Sequence, residues 1–239
     1  MRTVKGILFD YGGTIDTNGI HWGEFIWEEY RNTGMPITKK QFRNAYIHGE
    51  RTLAKERIIM PDDTFHTLIR KKTAIQFDYL SGQNTTKAIC MENAMKIADG
   101  CYSKVKSTLE TTRNVIETLH SRFPMVLVTN FYGNMPTVLK EFGLTGYFKD
   151  IVESSVVGIR KPDPALFALG IKSLGTTATE TLVVGDSYRK DIYPSCTLGC
   201  TTAWLKKKCW EEENVEAGHN PSFIIGSLEE LTDIIGQIK

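Results

Sequence analysis

Short apolar runs rich in β-branched residues recur along the chain, a pattern typical of strands buried in a parallel sheet. They cover Val4–Phe9, Met125–Val128, Ile151–Val152 and Thr181–Val184. Apolar residues at helical spacing follow the last three runs, at about 134–142, 164–174 and 187–197. Strands that alternate with helices predict an α/β fold built on a doubly wound, Rossmann-like parallel sheet.

The stretch from residue 17 to residue 105 has a different pattern. Apolar side chains recur there at helical spacing, as in Trp22, Phe25 and Ile26, and no run resembles a strand. The polar run Ser81–Asn84 separates two of these patterns and predicts a turn between helices. We therefore predict an α/β core formed by residues 1–16 and 106–239, with an all-helical cap domain inserted at 17–105.

Composition and charge narrow the classes of function. Lys and Arg number 29 against 28 Asp and Glu, so nothing indicates a surface for nucleic acid or acidic membrane. The five cysteines form no C-x-x-C pair, which favours free thiols in a reducing compartment. The first apolar run ends at Asp10, too early for a signal peptide, and no run is long enough to span a membrane. We expect a soluble, cytoplasmic protein.

Polar residues follow three of the predicted strands, where open α/β sheets bind their ligands. Asp10-Tyr11-Gly12-Gly13-Thr14 offers a carboxylate that can act as a nucleophile or metal ligand, and glycines that let main-chain N–H groups approach an anion. Thr129-Asn130 offers a hydroxyl and an amide to phosphoryl oxygens. Taken singly, each motif is also explained by a strand-ending turn or by local capping.

Two further motifs lie towards the carboxyl end. In Arg160-Lys161-Pro162-Asp163-Pro164, the lysine can neutralise an anion, and the last two residues predict the N-cap and first position of a helix. Asp186 and Asp191 follow the fourth predicted strand, and their carboxylates are the kind of ligand that Mg²⁺ prefers. Singly, these motifs are also explained by a charged loop and by a capped helix start.

Together and in this order, the four motifs resemble those of the haloacid dehalogenase-like hydrolase superfamily. The resemblance covers nearly the whole chain, and the helical insertion falls where members often carry a cap of the C1 type. It implies a Mg²⁺-dependent hydrolase. The activity that it favours is a phosphatase, acting on a small phosphorylated metabolite through an aspartyl-phosphate intermediate.

The resemblance also implies roles for individual residues. Asp10 would be the nucleophile, and Lys161 would offset charge on Asp10 and on the phosphoryl group. The side chains of Asp10 and Asp186 and the carbonyl of Gly12 would bind Mg²⁺. Asp191 would hold a metal-bound water or orient Lys161.

By the same resemblance, Thr129, Asn130 and the main-chain N–H of Tyr11 would hold the phosphoryl oxygens. Phosphatases of the family usually carry Asp-x-Asp in the first motif, where the second Asp protonates the leaving group and then activates water. Here that position is Gly12, which keeps the carbonyl but lacks an acid/base group worth roughly 10²–10⁴-fold in rate. Asp16 and His21 follow closely and are candidates to replace it.

The missing carboxylate leaves alternatives open. A 2-haloacid dehalogenase also lacks the second Asp, although it usually has Tyr there and needs no metal. A weakened binding or regulatory member is a second alternative. Phosphonate-cleaving relatives need a cap lysine that forms an imine, and the insertion contains Lys39, Lys40, Lys55, Lys71 and Lys72. Polar insertion residues that could contact a substrate are Tyr46, His48, Arg51 and Arg57.

Overall fold

Six parallel strands form one sheet in the computed structural model of the protein, which describes residues 3–82, 91–210 and 214–237. They are β1 (Gly6–Phe9), β2 (Met125–Thr129), β3 (Asp150–Glu153), β4 (Thr181–Gly185), β5 (Thr201–Leu205) and β6 (Phe223–Ile225). Their order across the sheet is β3-β2-β1-β4-β5-β6. The parallel sheet and its flanking helices confirm the predicted α/β fold class.

All four predicted strands are present, but the sequence pattern misses β5 and β6. All five residues of β5 are buried, yet it begins with Thr201 and Thr202, whose hydroxyls make the segment look polar. β6 is only three residues long and lies at the edge of the sheet, where Ile224 is exposed. An edge strand carries a weaker apolar signal because fewer elements cover it.

The predicted helices of the α/β part are also present. They are α5 (Met135–Glu141), α7 (Pro164–Leu174) and a π-helical turn (Tyr188–Ile192) that continues into α8 (Tyr193–Thr197). The carboxylate of Asp163 accepts a hydrogen bond of 2.9 Å from the N–H of Ala165, which confirms the predicted N-cap. The short helices α6 (Ser154–Val157) and α9 (Leu231–Gln237) complete this part.

The regular elements that the structure describes in the insertion are helices. Its helices are α1 (Trp22–Asn32), α2 (Lys39–Lys55), α3 (Phe65–Ser81) and the first half of α4 (Met91–His120). Because the buried series Ile97, Val105 and Leu109 continues without interruption, α4 crosses the boundary predicted at residues 105 and 106 as one helix. The division into two units therefore stays a prediction. Gln83 and Asn84 of the predicted turn, and Cys90, lie outside the described residues.

The sheet positions one apolar layer on each face. Successive β1 side chains alternate, so Leu8 packs with α7 on one face, while Ile7 and Phe9 join the larger core that includes the insertion helices. No disulfide bond joins Cys101, Cys196, Cys200 and Cys209 to one another in the part of the chain that the structure describes. Among the described helices, none combines the length and hydropathy that crossing a bilayer requires.

Candidate active site

The carboxyl end of β1 carries Asp10, which is buried beside the end of the adjacent strand β4. Thr14 Oγ1 donates to Asp10 Oδ2 at 3.1 Å. Lys161 Nζ donates to Asp10 Oδ1 at 2.6 Å and to Asp191 Oδ1 at 2.6 Å. Lys161, in the loop before α7, thus contacts two carboxylates that come from different sequence motifs.

Burial controls the electrostatics of this group. It raises the pKa of Asp10 to about 6, even though the charge of Lys161 acts in the opposite direction. Burial alone would lower the pKa of Lys161, but the charges of Asp10 and Asp191 outweigh it and raise the pKa. The lysine therefore stays protonated and shares its charge between the two carboxylates.

Asp186 lies just beyond the end of β4 and completes an acidic cluster. One carboxylate oxygen from each of Asp10, Asp186 and Asp191 lies within 4.8 Å of the others. Burial, followed by the charges of its two acidic neighbours, raises the pKa of Asp186 well above its usual value. Since Lys161 balances only part of this charge, an all-oxygen cluster of this kind fits a divalent cation such as Mg²⁺.

Close approach of the first-motif loop to Asp186 requires glycine at position 13. Gly13 has φ +98, and a Cβ atom there would lie 2.4 Å from Asp186 Oδ2. Gly12 is different, because a Cβ atom would lie 3.7 Å from Trp22 Nε1 at ordinary contact distance. The Trp22 indole lies beside the position where an Asp side chain would extend. It donates through Nε1 to Asp16 Oδ2 at 3.0 Å.

Asp16 stabilises this loop through hydrogen bonds. It does not line the cavity that extends from Asp10 towards the helical insertion. Its other oxygen accepts from the N–H of Gly13 at 2.7 Å, and burial raises its pKa to about 7. The ring of Tyr11 is also fully buried and packs edge-on against Phe131, with 5.8 Å between ring centroids. Only the main chain of Tyr11 is therefore left for the predicted contact with a phosphoryl group.

The second motif contributes in two different ways. Thr129 ends β2 and lines the cavity beside Asp10. The side chain of Asn130 instead bonds to the main chain of Lys161, accepting from its N–H at 2.9 Å and donating to its carbonyl at 3.2 Å. Asn130 thus holds the lysine in place, and its predicted contact with the substrate stays a prediction.

A cavity extends from Asp10, Gly12 and Asp186 towards the helical insertion. Of the four polar insertion residues considered above, Tyr46 lines this cavity and His48, Arg51 and Arg57 do not, as far as the structure describes its walls. His48 stacks on Tyr79, with 4.7 Å between ring centroids, because it lies on another face of α2.

The sequence analysis gave several residues of the cavity walls no place in the favoured site. They include Glu50 of α2, Lys72 of α3, Trp22 of α1, and Tyr132, Ser187 and Lys190 of the α/β part. Glu50 follows Tyr46 by four residues, and Lys72 follows Leu68 by four, so each pair shares one helix face. That spacing places each of them on the inward face of its helix, but it does not by itself show that either meets a ligand.

His21 also lines the cavity, at the N-cap of α1. Its Nδ1 accepts from the N–H of Gly23 at 3.0 Å, which places the proton of a neutral ring on Nε2. Burial, followed by the positive charge of Lys190, lowers the pKa of His21 to about 4. The ring is therefore a neutral hydrogen-bond donor at physiological pH.

Comparison with known proteins identifies the family to which the chain belongs. The sequence model of the haloacid dehalogenase-like hydrolase family matches residues 4–193, and that of a HAD-hydrolase-like family matches 158–231. A glyceraldehyde 3-phosphate phosphatase of Methanocaldococcus jannaschii is 35% identical over 42% of this chain and 43% of its own. A phosphoglycolate phosphatase of Vibrio vulnificus is 29% identical over 98% of this chain and 97% of its own. Matches to the first three relatives span only 43–55% of their lengths.

Among solved structures, the HAD-hydrolase YfnB from Bacillus subtilis bound to magnesium has the same fold. It covers 98% of this chain and 99% of its own, with a TM-score of 0.59 and 21% identity. At this identity the likeness concerns the fold, in which a parallel sheet carries a helical insertion after its first strand.

Proposed function

Because the chain belongs to the haloacid dehalogenase-like hydrolase family, we propose that it is a Mg²⁺-dependent phosphatase that acts on small phosphate monoesters. The observation that carries the proposal is the position of Asp10. It lines the cavity, contacts the buried Lys161 and forms, with Asp186 and Asp191, an acidic cluster with the donor set for a divalent cation. The names of two relatives, both phosphatases, support the same activity.

We propose that Asp10 attacks phosphorus, forming a bond between a carboxylate oxygen and phosphorus while the bond to the leaving-group oxygen breaks. Water then hydrolyses this acyl phosphate and regenerates Asp10. Lys161 remains charged and reduces the repulsion between Asp10 and the phosphate dianion.

Residues for the cation follow from the same geometry. The carboxylates of Asp10 and Asp186 and the carbonyl of Gly12 would hold Mg²⁺, and Asp191 orients Lys161 through their 2.6 Å contact. The bound ion supplies positive charge that stabilises the transferring phosphoryl group.

Protonation of the leaving group distinguishes this site from one with Asp-x-Asp. Gly12 offers no acid, and the neutral His21 ring can donate a hydrogen bond but is a weak proton donor. We therefore expect leaving groups of low pKa, such as those of acyl phosphates or sugar 1-phosphates, to be released fastest.

Phosphate release from a panel of phosphorylated metabolites and p-nitrophenyl phosphate tests the proposal, with Mg²⁺ or with chelator. We expect release that needs Mg²⁺ and disappears in Asp10→Asn. Halide release from 2-haloacids in the presence of chelator would instead identify the dehalogenase alternative. Absence of both activities, with Mg²⁺-dependent binding of phosphate analogues, would identify a binding or regulatory member.

A further inference from the structure

An ion pair in the insertion lines the same cavity as Asp10. Glu50 of α2 and Lys72 of α3 both face it, and Lys72 Nζ lies 2.6 Å from Glu50 Oε1. Neither residue contacts the cluster of Asp10, Asp186 and Asp191 through a hydrogen bond or ion pair that the structure describes. The pair therefore lies on the part of the cavity left for the rest of the substrate.

The side chain of Lys72 is more enclosed than that of Glu50. The ammonium of Lys72 lies over three aromatic rings, 5.5 Å from the centroid of Tyr132, 5.8 Å from that of Trp22 and 6.0 Å from that of Tyr46. The side chain of Lys72 is 7% exposed and that of Glu50 is 31% exposed. The glutamate is therefore the more accessible member of the pair, although its Oε1 is buried against Lys72.

Residues of both the helical insertion and the α/β part hold Glu50 in this position. Tyr132, from the loop after β2, donates through its hydroxyl to Glu50 Oε2 at 3.2 Å. Burial alone would raise the pKa of Glu50, but the charge of Lys72 outweighs it and the pKa is lowered. Glu50 is thus an ionised acceptor, and its charge and that of Lys72 sum to zero.

We propose that the Glu50–Lys72 pair selects the leaving group, favouring uncharged, hydroxyl-bearing alcohols and rejecting those that carry a carboxylate. This inference rests on the proposed phosphatase function. Glu50 can accept from a substrate hydroxyl, whereas a substrate carboxylate would meet its like charge in a site of low dielectric. Lys72 cannot offset that repulsion fully, because Glu50 already neutralises it.

Two phosphate esters that share one carbon skeleton test this selectivity. Glycerol 3-phosphate and 3-phosphoglycerate differ in having a hydroxymethyl group or a carboxylate at the end remote from phosphate. We expect kcat/KM to favour glycerol 3-phosphate by about tenfold, the effect of a like charge that Lys72 offsets only in part. Equal values for the two esters would overturn the inference.

Charge-changing variants show whether the pair causes the preference. Glu50→Gln keeps the shape but leaves Lys72 unpaired, so the ratio should fall by about tenfold or more. Glu50→Gln with Lys72→Met removes both charges and should give a ratio between those of the wild type and Glu50→Gln, because neither the repulsion nor an unpaired cation remains. Glu92→Gln makes the same change on the surface of α4, where Glu92 pairs with Lys96, and should leave the ratio unchanged. A ratio unaffected by Glu50→Gln would contradict the proposal.

If Glu50→Gln does not fold, Lys72→Met provides the opposite test, because it leaves Glu50 unopposed and should widen the ratio. An unchanged ratio in that variant would also overturn the inference.

Calorimetric binding of the two esters to Asp10→Asn with Mg²⁺ separates this inference from the phosphatase function. If glycerol 3-phosphate binds preferentially but the wild type turns over neither ester, the selective role of the Glu50–Lys72 pair is supported and the phosphatase function is refuted. Turnover of both esters without preference would support the phosphatase function and refute the selective role of the pair. Binding of neither ester, with no turnover, would refute both.

Discussion

The side chain of Asn130 is hydrogen-bonded at both ends to the main chain of Lys161, through contacts of 2.9 Å and 3.2 Å. This link fixes the loop before α7 against the end of β2. It thereby sets the point from which the lysine side chain reaches Asp10 and Asp191. An asparagine that follows a strand here positions the cation instead of serving only as a phosphate ligand.

Asn130→Ala should therefore lower kcat by about tenfold to a hundredfold, the usual effect of losing a group that orients a reacting residue. KM should change less, because the substrate contacts of other residues remain. Steady-state kinetics on p-nitrophenyl phosphate would measure both constants. Asn114→Ala, at an exposed position of α4, is the matched control. A variant with wild-type kcat would show that the two hydrogen bonds are dispensable for catalysis.

Lys161→Met tests the buried charges directly. Asp10 and Asp191 would lose the cation that lies 2.6 Å from each, and both carboxylates are almost fully buried. We expect the free energy of unfolding at neutral pH to fall by about 3–5 kcal/mol, the cost of removing one partner from a buried pair. Urea denaturation without metal would measure it. A change below about 1 kcal/mol would show that solvent or movement of the carboxylates compensates for the loss.

The adjacent glycines of the first motif should differ in their tolerance of a methyl group. Gly12→Ala should fold with nearly unchanged stability, since the added Cβ would lie 3.7 Å from Trp22. Gly13→Ala combines a positive φ with a Cβ only 2.4 Å from Asp186, so we expect a clear loss of stability and of Mg²⁺ binding. Thermal unfolding with and without Mg²⁺ would compare the two variants. Equal melting temperatures would contradict the backbone geometry at these positions.

His21 should make stability depend on pH in the acidic range. Burial and the charge of Lys190 lower its folded-state pKa from 6.5 to about 4, so between these values the unfolded chain binds the proton more readily. This contribution is fully present above pH 6.5 and is lost as the pH falls towards 4, by about 3 kcal/mol.

His21→Asn isolates this effect, because asparagine also caps a helix but does not titrate. As the pH falls from about 6.5 to about 4, the wild type should lose stability relative to the variant. Outside this range the difference in unfolding free energy should stay constant. Urea denaturation across that range would measure it. Parallel stability curves would show that His21 titrates normally in the folded protein.

Much of the candidate site was predictable from the order of strands and polar residues. Asp10 and Asp186 follow strands that pair side by side, and parallel strands bring their carboxyl ends to one edge. Lys161 and Asp191 follow from the motifs that contain them, and the structure places both within hydrogen-bond reach of each other. Sequence position was sufficient for Asp10 and Asp186 because adjacent strands determine their separation, whereas the roles of Lys161 and Asp191 came from the family resemblance.

The remaining walls of the cavity depend on which face each insertion helix turns inwards. Arg51 and Glu50 are neighbours in sequence, yet Glu50 lines the cavity and Arg51 is exposed. Amphipathic spacing identifies the buried face of a helix but does not show which buried polar residue meets a ligand. Lys72 illustrates this point, because only its enclosure by aromatic rings separates it from the other lysines of the insertion.

Lys72 also bears on the phosphonate-cleaving alternative. An amine must lose its proton before it can form an imine, but the charge of Glu50 outweighs the effect of burial and raises the pKa of Lys72. The lysine is therefore held in the protonated form, which suits electrostatic selection of a substrate and disfavours covalent chemistry.

In the proposed reaction, the phosphoryl group of the substrate is transferred to Asp10 before it reaches water. Rapid quenching of the enzyme with p-nitrophenyl phosphate and Mg²⁺, followed by mass spectrometry of its peptides, tests this most directly. We expect one phosphoryl group on the peptide that contains Asp10, absent with chelator and absent in Asp10→Asn. Phosphate release that continues in Asp10→Asn, or turnover during which Asp10 is never phosphorylated, would show that Asp10 is not the nucleophile.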